Sequence, residues 1–148
     1  MNRKGITLIE LIIVMTIIAI GAAFMLPNIS TWIPHYRLRG ATRDIISTMR
    51  VAQMKAVSNN MEYRVKFDQE GRNYILQYRT TAGGPWVDGG IAQPLPAGIQ
   101  FFDSEPDGFN AEFNPNSTSS SGSVTLQNAK GARRKISLTS TTGRVTVD

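Results

Sequence analysis

Cysteine is absent from the 148-residue sequence, and histidine occurs once, as His35. The lack of cysteine excludes disulfide bonds and metal sites built on thiolates. A lone histidine beside an apolar segment is a poor general base, and the sequence has no nucleophile elbow, metal-ligand pair or phosphate-binding glycine loop. These absences predict that the protein is not an enzyme and has no cofactor.

What the sequence does contain is a short basic leader in front of a long apolar run. Two cations and Gly5 precede the 20-residue segment Ile6–Met25, whose one ionisable side chain is Glu10. As a helix this segment would be ~30 Å long, about the hydrocarbon thickness of a bilayer. The positive-inside rule therefore predicts a single-pass helix with a cytoplasmic N-terminus and with the chain beyond Pro27 on the opposite side.

The cleavage-like site of the sequence lies before the apolar segment, whereas a secretory signal is cut after it. The residues around this site resemble the class III signal of type IV pilins and type II secretion pseudopilins. They read Lys4-Gly5-Ile6-Thr7-Leu8-Ile9-Glu10-Leu11. The resemblance implies that a prepilin peptidase and N-methyltransferase cuts between Gly5 and Ile6. The usual first mature residue of that family is Phe, and Ile6 departs from it.

Three residues in or just after the apolar segment are expected to serve assembly. Glu10 costs about 2.5–3.5 kcal/mol at the bilayer centre, and in the resembled family this glutamate pairs with the free α-amino group of a neighbouring subunit. The alternative is that Glu10 only snorkels to the interface. Gly21 and Pro27 are expected to interrupt the helix, with a kink near Pro27. Such a weak point lets the helix of family members stretch inside a filament.

The sequence predicts an α+β fold with a leader at residues 1–5, an anchor helix at 6–29 and one domain at 30–148. From Tyr36 to about Asn59, apolar residues share one helical face, so the anchor is expected to continue as an amphipathic helix. These residues are Leu38, Ala41, Ile45, Met49, Ala52 and Ala56. We expect this face to pack on an antiparallel β-sheet.

Beyond Asn60 the apolar period changes to two, which predicts six or seven short strands. They are expected at Glu62–Asp68, Tyr74–Arg79, Ile99–Phe102, Ala111–Phe113, Ser123–Gln127, Arg134–Leu138 and Arg144–Val147. Between the second and third strands, glycine pairs bound a loop that carries Trp86. The Ser-rich stretch Asn116–Ser123 is predicted to be a flexible loop.

The C-terminal half carries a second resemblance, to the GspH/FimT group of minor pilins. It lies in Phe113-Asn114-Pro115, Val124-Thr125-Leu126, Ile136-Ser137-Leu138 and Thr142-Gly143-Arg144-Val145-Thr146-Val147. The resemblance implies a minor pseudopilin that assembles into or initiates the periplasmic filament of a type II secretion system or type IV pilus. Its partners would be other pilins or pseudopilins and the bacterial inner membrane, with the C-terminal domain in the periplasm.

The alternative function is that of a minor type IV pilin that binds DNA for uptake. Charge is segregated along the chain: residues 80–129 carry five anions and no cation, and residues 130–148 carry five cations and one anion. Clustered cations are what phosphate binding requires. The candidate side chains are Lys130, Arg133, Arg134, Lys135 and Arg144.

DNA-binding members of the resembled group carry a C-terminal Gly-Arg-x-Arg pattern, and here Thr146 takes the place of the second arginine. Weak binding is therefore expected. Strand alternation places Arg133 and Lys135 on the face opposite the apolar residues. Arg134 falls on the same face of the strand as the apolar residues, and it is expected to cap the edge of its strand.

A further motif resembles the start of a calcium loop, with Asp103, Glu105 and Asp107 as the ligands. Pro106 lies inside the motif, and Asn114 stands where the bidentate glutamate belongs. A polar turn is the preferred interpretation.

Overall fold

The computed structural model describes residues 5–102 and 110–148, and for residues 25–31 it describes the backbone alone. The calcium candidates Asp103, Glu105 and Asp107 therefore lie outside the described residues, as do the two leader cations. The chain divides into one compact unit that ends at Ile33 and a second that spans Pro34–Asp148. We call them the N-terminal unit and the C-terminal unit.

The helix α1 (Leu8–Asn59) begins in the N-terminal unit. Thr7 caps its start, because the backbone N–H of Glu10 donates to Thr7 Oγ1 at 3.4 Å and so satisfies a free N–H group of the first turn. The backbone is helical at both Gly21 and Pro27. α1 therefore continues through both residues, since a proline within a helix can remove one backbone hydrogen bond without ending the element, and the kink expected near Pro27 stays a prediction.

Side chains of the N-terminal unit are exposed at every described position from Ile6 to Phe24. Apart from Thr7, Glu10 and Thr16, all of these residues are apolar or glycine. In the part of the chain that the structure describes, no helix is long and apolar enough to cross a membrane.

In the C-terminal unit, α1 buries the apolar stripe that its sequence predicts. The six residues of the stripe are each at most 3% exposed: Leu38, Ala41, Ile45, Met49, Ala52 and Ala56. The helix ends at Asn59. Asn60 follows with a left-handed φ of 53°, a conformation that commonly closes a helix and that asparagine tolerates.

Nine strands follow in chain order within the described residues. They are β1 (Glu62–Asp68), β2 (Asn73–Arg79), β3 (Val87–Asp88), β4 (Gln93–Pro94), β5 (Ile99–Phe101), β6 (Ala111–Phe113), β7 (Gly122–Asn128), β8 (Arg133–Thr139) and β9 (Arg144–Val147). The first sheet has the order β3-β2-β1-β6, with β4 also paired to β2, and the second has the order β5-β7-β8-β9. All strand pairs are antiparallel.

Both sheets share one hydrophobic core with the buried stripe of α1. Val65 and Phe113 enter it from the first sheet, and Leu126 and Ile136 enter it from the second; all four are fully buried. The rings of Phe67 on β1 and Phe101 on β5 meet edge to face at 5.6 Å, which links the two sheets. The predicted α+β fold is confirmed.

The arrangement of strands differs from the expectation in two respects. The helix packs on two sheets and not on one. The loop predicted around Trp86 contains the two-residue strand β3, and a second two-residue strand that was not predicted, β4, follows this loop. Two residues are too few to show an alternating pattern, and an alternating pattern does not reveal which strands pair.

The Ser-rich stretch contains a bridging segment, residues 118–120, that is fixed and not flexible as predicted. The N–H of Ser119 donates to the Ser140 carbonyl at 2.9 Å and its hydroxyl to the Thr139 carbonyl at 3.0 Å. The N–H of Ser120 donates to the Glu112 carbonyl at 2.9 Å. Ser119 is buried, and its hydroxyl is satisfied by its bond to the Thr139 backbone carbonyl.

Candidate assembly segment and basic face

The predicted processing site lies at an accessible position of the N-terminal unit. Gly5 and Ile6 precede the start of α1 and are not helical. Ile6 is 78% exposed. An exposed, non-helical segment at a chain terminus is the kind of backbone that a protease can bind.

Glu10 occupies the first turn of α1 with an exposed side chain. Its spacing from Thr7 is that of a capping box, and a carboxylate near a helix N-terminus is favoured by the helix dipole. The carboxylate forms no ion pair with any residue that the structure describes. Glu10 is therefore available to a cation supplied by another molecule.

The other two assembly candidates, Gly21 and Pro27, lie within α1. A Cβ atom added at Gly21 would meet no atom within 4 Å. Nothing in a single chain therefore requires glycine at this position, and any requirement would come from a neighbouring molecule.

Three of the DNA-binding candidates share the outer face of the second sheet. Arg133 and Lys135 alternate with the buried residues of β8, and both are exposed. Arg144 pairs with Thr139 across β8 and β9, so it lies on the same side as Lys135. We call Arg133, Lys135 and Arg144 the basic face.

Among the described residues, neutral polar side chains, an aromatic ring and Asp148 also line the basic face. Thr125 lies opposite Lys135, and Gln127 lies opposite Arg133. The guanidinium of Arg133 stacks on the ring of Phe102 at 3.5 Å, which holds this cation by a cation–π interaction. Asp148 is the acid of this face, and its backbone pairs with Lys135 in both directions.

Two candidates lie apart from the basic face. Lys130 is exposed in the turn between β7 and β8, where Asn128 Oδ1 accepts from the backbone N–H of Lys130 at 3.0 Å. Arg134 points to the side of Ile136 and is half-buried. It lines a cleft with Arg39 and Arg43 of α1, so the expectation that it caps a strand edge is wrong. The reason is tertiary, since α1 lies against this side of β8.

The Gly143-Arg144 turn is fixed by its contact with α1. Gly143 is buried and has a left-handed φ of 60°. A Cβ atom at Gly143 would lie 2.5 Å from Nε2 of Gln53, so neither the conformation nor the space suits another residue. Thr146 pairs with Ser137 on the side of the basic face, so a threonine occupies the place on this face where a second arginine would add a charge.

Sequence reasoning missed a polar cluster on the outer side of the first sheet. The ring of Trp86 contacts two guanidinium groups, and its centroid lies 4.2 Å from Cζ of Arg64 and 4.5 Å from Cζ of Arg79. Arg79 also forms an ion pair with Glu62. Burial lowers the pKa of Arg64, and Arg79 adds to this effect while Glu112 opposes it. The glycine pairs around Trp86 predicted a loop but gave no signal that the ring folds back onto the sheet.

Among the residues that the structure describes, no group of three or more histidine, cysteine, aspartate or glutamate side chains is placed to hold a metal ion.

A predicted processing site in front of a long helix that packs on antiparallel sheets is typical of the pilin and pseudopilin class. Residues 1–26 match the prokaryotic N-terminal methylation motif, and residues 41–143 match the family model for the type II transport protein GspH. The chain belongs to the GspH family. The family is structural, in agreement with the expectation that the protein is not an enzyme.

Two solved structures share the fold. The minor pseudopilin EpsH of the Vibrio cholerae type 2 secretion system is 11% identical, with a TM-score of 0.60 over 76% of this chain and 96% of that one. The type IV minor pilin FimU of Pseudomonas aeruginosa is 15% identical, with a TM-score of 0.60 over 77% of this chain and 90% of that one. No curated protein has significant sequence similarity to the chain.

Proposed function

We propose that the chain is a minor pseudopilin that assembles into, or initiates, the periplasmic filament of a type II secretion system or type IV pilus. One observation carries the proposal: an apolar helix with every described side chain exposed precedes a unit that has its own complete core. An apolar surface of this length must be shielded from water by another molecule. Lipid covers it before assembly, and the helices of neighbouring pilins cover it in the filament.

Cleavage between Gly5 and Ile6 would prepare the chain for assembly. It creates a free α-amino group at Ile6. The nitrogen of this group is the atom that a prepilin peptidase and N-methyltransferase would methylate. The N-terminal unit then serves as the inner-membrane anchor, and the C-terminal unit faces the periplasm. Membrane topology follows from the leader cations by the positive-inside rule.

Glu10 would provide the specific contact within the filament. Its carboxylate has no described ion-pair partner, and an ionised carboxylate in an apolar setting is stabilised by an opposite charge and hydrogen bonds. The α-amino group of a neighbouring subunit meets both needs. Gly21 leaves open space on the helix and Pro27 lowers its stiffness, so both would serve the packing and extension of the anchor in the assembly.

The test compares Glu10→Ala with Glu10→Gln and the wild-type chain in a strain with the complete filament machinery. Glu10→Ala should keep the protein in the membrane fraction, because a charge leaves the lipid. It should abolish co-purification with partner pilins, and Glu10→Gln should do the same because it also lacks the charge. Normal co-purification of both variants would show that Glu10 only snorkels to the interface.

A second candidate function, DNA binding, is favoured by the shared orientation of Arg133, Lys135 and Arg144. Three phosphates neutralised by these cations would give a slope of about −2.7 for log affinity against log salt concentration. With Thr146 in place of a second arginine, we expect only weak binding at about 150 mM salt.

The test is a titration of the protein with duplex DNA across a range of salt concentrations. The variant R133Q/K135Q/R144Q is compared with R39Q/R43Q/R134Q, which loses the same charge on another surface. Micromolar binding at about 150 mM salt that only the first variant loses would favour DNA uptake. Equal and small losses in both variants would favour the assembly function.

A further inference from the structure

The cleft between α1 and β8 brings three arginines together. Arg39 and Arg43 lie one helical turn apart on α1 and are exposed, and Arg134 reaches the same cleft from β8. Thr42, Ile46 and Val147 complete the lining. All six residues belong to the C-terminal unit, and we call the site the arginine cleft.

The charges of the arginine cleft have no counterpart among the described residues. None of the lining residues is acidic, and none of the three guanidinium groups forms an ion pair with the part of the chain that the structure describes. Asp44 follows Arg43 directly, and adjacent residues on a helix do not face each other. Like charges held together are unfavourable, so an anion in the cleft would stabilise this arrangement.

The chemistry of the cleft selects a phosphate group that is attached to an apolar body. Guanidinium groups present forked donors that match phosphate oxygens. The Thr42 hydroxyl already donates its proton to the Leu38 carbonyl at 2.7 Å. The three guanidinium groups therefore supply the hydrogen-bond donors for a ligand in the cleft. Ile46 and Val147 add an apolar wall that a free phosphate ion would leave unused. The volume is about 270 Å³, slightly below that of pockets for drug-sized ligands.

We propose that the arginine cleft binds the headgroup of an anionic phospholipid. The inference rests on the proposed function, because the membrane anchor would deliver the chain to a lipid surface. Arg39 follows the last residue of the N-terminal unit, Ile33, by six positions. The side chains of Trp32, which directly precedes Ile33, and of Tyr36 are 77% and 74% exposed, and such rings favour membrane interfaces.

The test uses the full chain in uncharged detergent micelles with methyl groups of Ile46 and Val147 as NMR probes. Short-chain phosphatidylglycerol should shift both signals in a saturable way, and short-chain phosphatidylcholine should not. Each arginine near an anionic surface raises the affinity for that surface about fivefold. R39Q/R43Q should therefore weaken binding about 25-fold, and R39Q/R43Q/R134Q about 125-fold.

The matched control is R133Q/K135Q/R144Q, which removes the same charge from the basic face and should change the affinity less than threefold. Equal weakening by both triple variants would overturn the proposal, because the attraction would then be general. Saturation by inorganic phosphate at the same concentration would assign the cleft to free phosphate, and displacement by duplex DNA would assign it to nucleic acid. Glu10→Ala should leave lipid binding unchanged, so failure of lipid binding and failure of assembly are measured separately.

Discussion

Met49 and Met54 offer a direct test of the core, because one residue type occupies opposite environments five positions apart on α1. Met49 is fully buried and Met54 is 63% exposed. Burying a methionine side chain contributes about 1.5–3 kcal/mol, and truncation to alanine adds the cost of a cavity, for a total of about 2–5 kcal/mol. Met54→Ala removes little buried surface and gains helix propensity, so its effect should stay within about 0.5 kcal/mol.

The assay is urea unfolding of residues 34–148. We expect this unit to fold alone, because the hydrophobic core lies wholly within it. Met49→Ala should lower the transition midpoint without changing the denaturant slope, and its thermal midpoint should fall by roughly 10 °C or more. Met54→Ala should coincide with wild type, which makes it the matched control.

A near-zero effect of Met49→Ala would refute the reasoning, since it would mean that the apolar stripe of α1 is exposed and used for assembly. Equal destabilisation by both variants would also refute it, because burial would then not determine the cost. Ile45→Ala provides a second reading of the same core, as Ile45 is also fully buried.

Other changes test the processing site, the Gly143 turn and the Trp86 cluster. Gly5→Leu should block cleavage, so intact-mass analysis should find the leader retained; normal removal of residues 1–5 would place the cut elsewhere. Gly143→Ala should lower the free energy of unfolding by about 2–4 kcal/mol, because it adds both a strained left-handed backbone and an overpacked Cβ atom. Gly98 has a φ of 81° but more space around it. Gly98→Ala should therefore lower the free energy of unfolding only by the backbone cost of about 1–2 kcal/mol. Trp86→Ala should cost about 1–3 kcal/mol in thermal or urea unfolding, since it removes two cation–π contacts and buried ring surface; no change would mean that the cluster is not stabilising.

The parts of the fold that follow from local periodicity could be predicted from the sequence. The buried stripe of α1 repeats every three or four residues, and β1 alternates strictly, so both were predicted with the correct faces. The outward orientation of Arg133 and Lys135 follows from the same alternation. These features depend on neighbours within a few positions along the chain.

Features that depend on contacts between distant segments could not be predicted. Strand patterns do not specify pairing partners, so the sequence predicts one sheet where the structure has two. Alternation along β8 places Arg134 on the same face as the buried residues of this strand. Only the packing of α1 against that face shows that Arg39 and Arg43 are its neighbours. Ser119 belongs to a polar stretch typical of a flexible loop, and its burial results from hydrogen bonds to residues twenty positions away.

The bridging segment has a consequence for how the C-terminal unit opens. On one side it bonds to Glu112 of β6, and on the other to Thr139 and Ser140 at the end of β8. Neither sheet can therefore separate from the other without loss of the same hydrogen bonds. Slow amide exchange in β6 and β8 should occur through one shared opening with a single free energy. In the filament proposed above, a subunit built in this way would resist separation of one sheet at a time under tension, and the whole unit would unfold together.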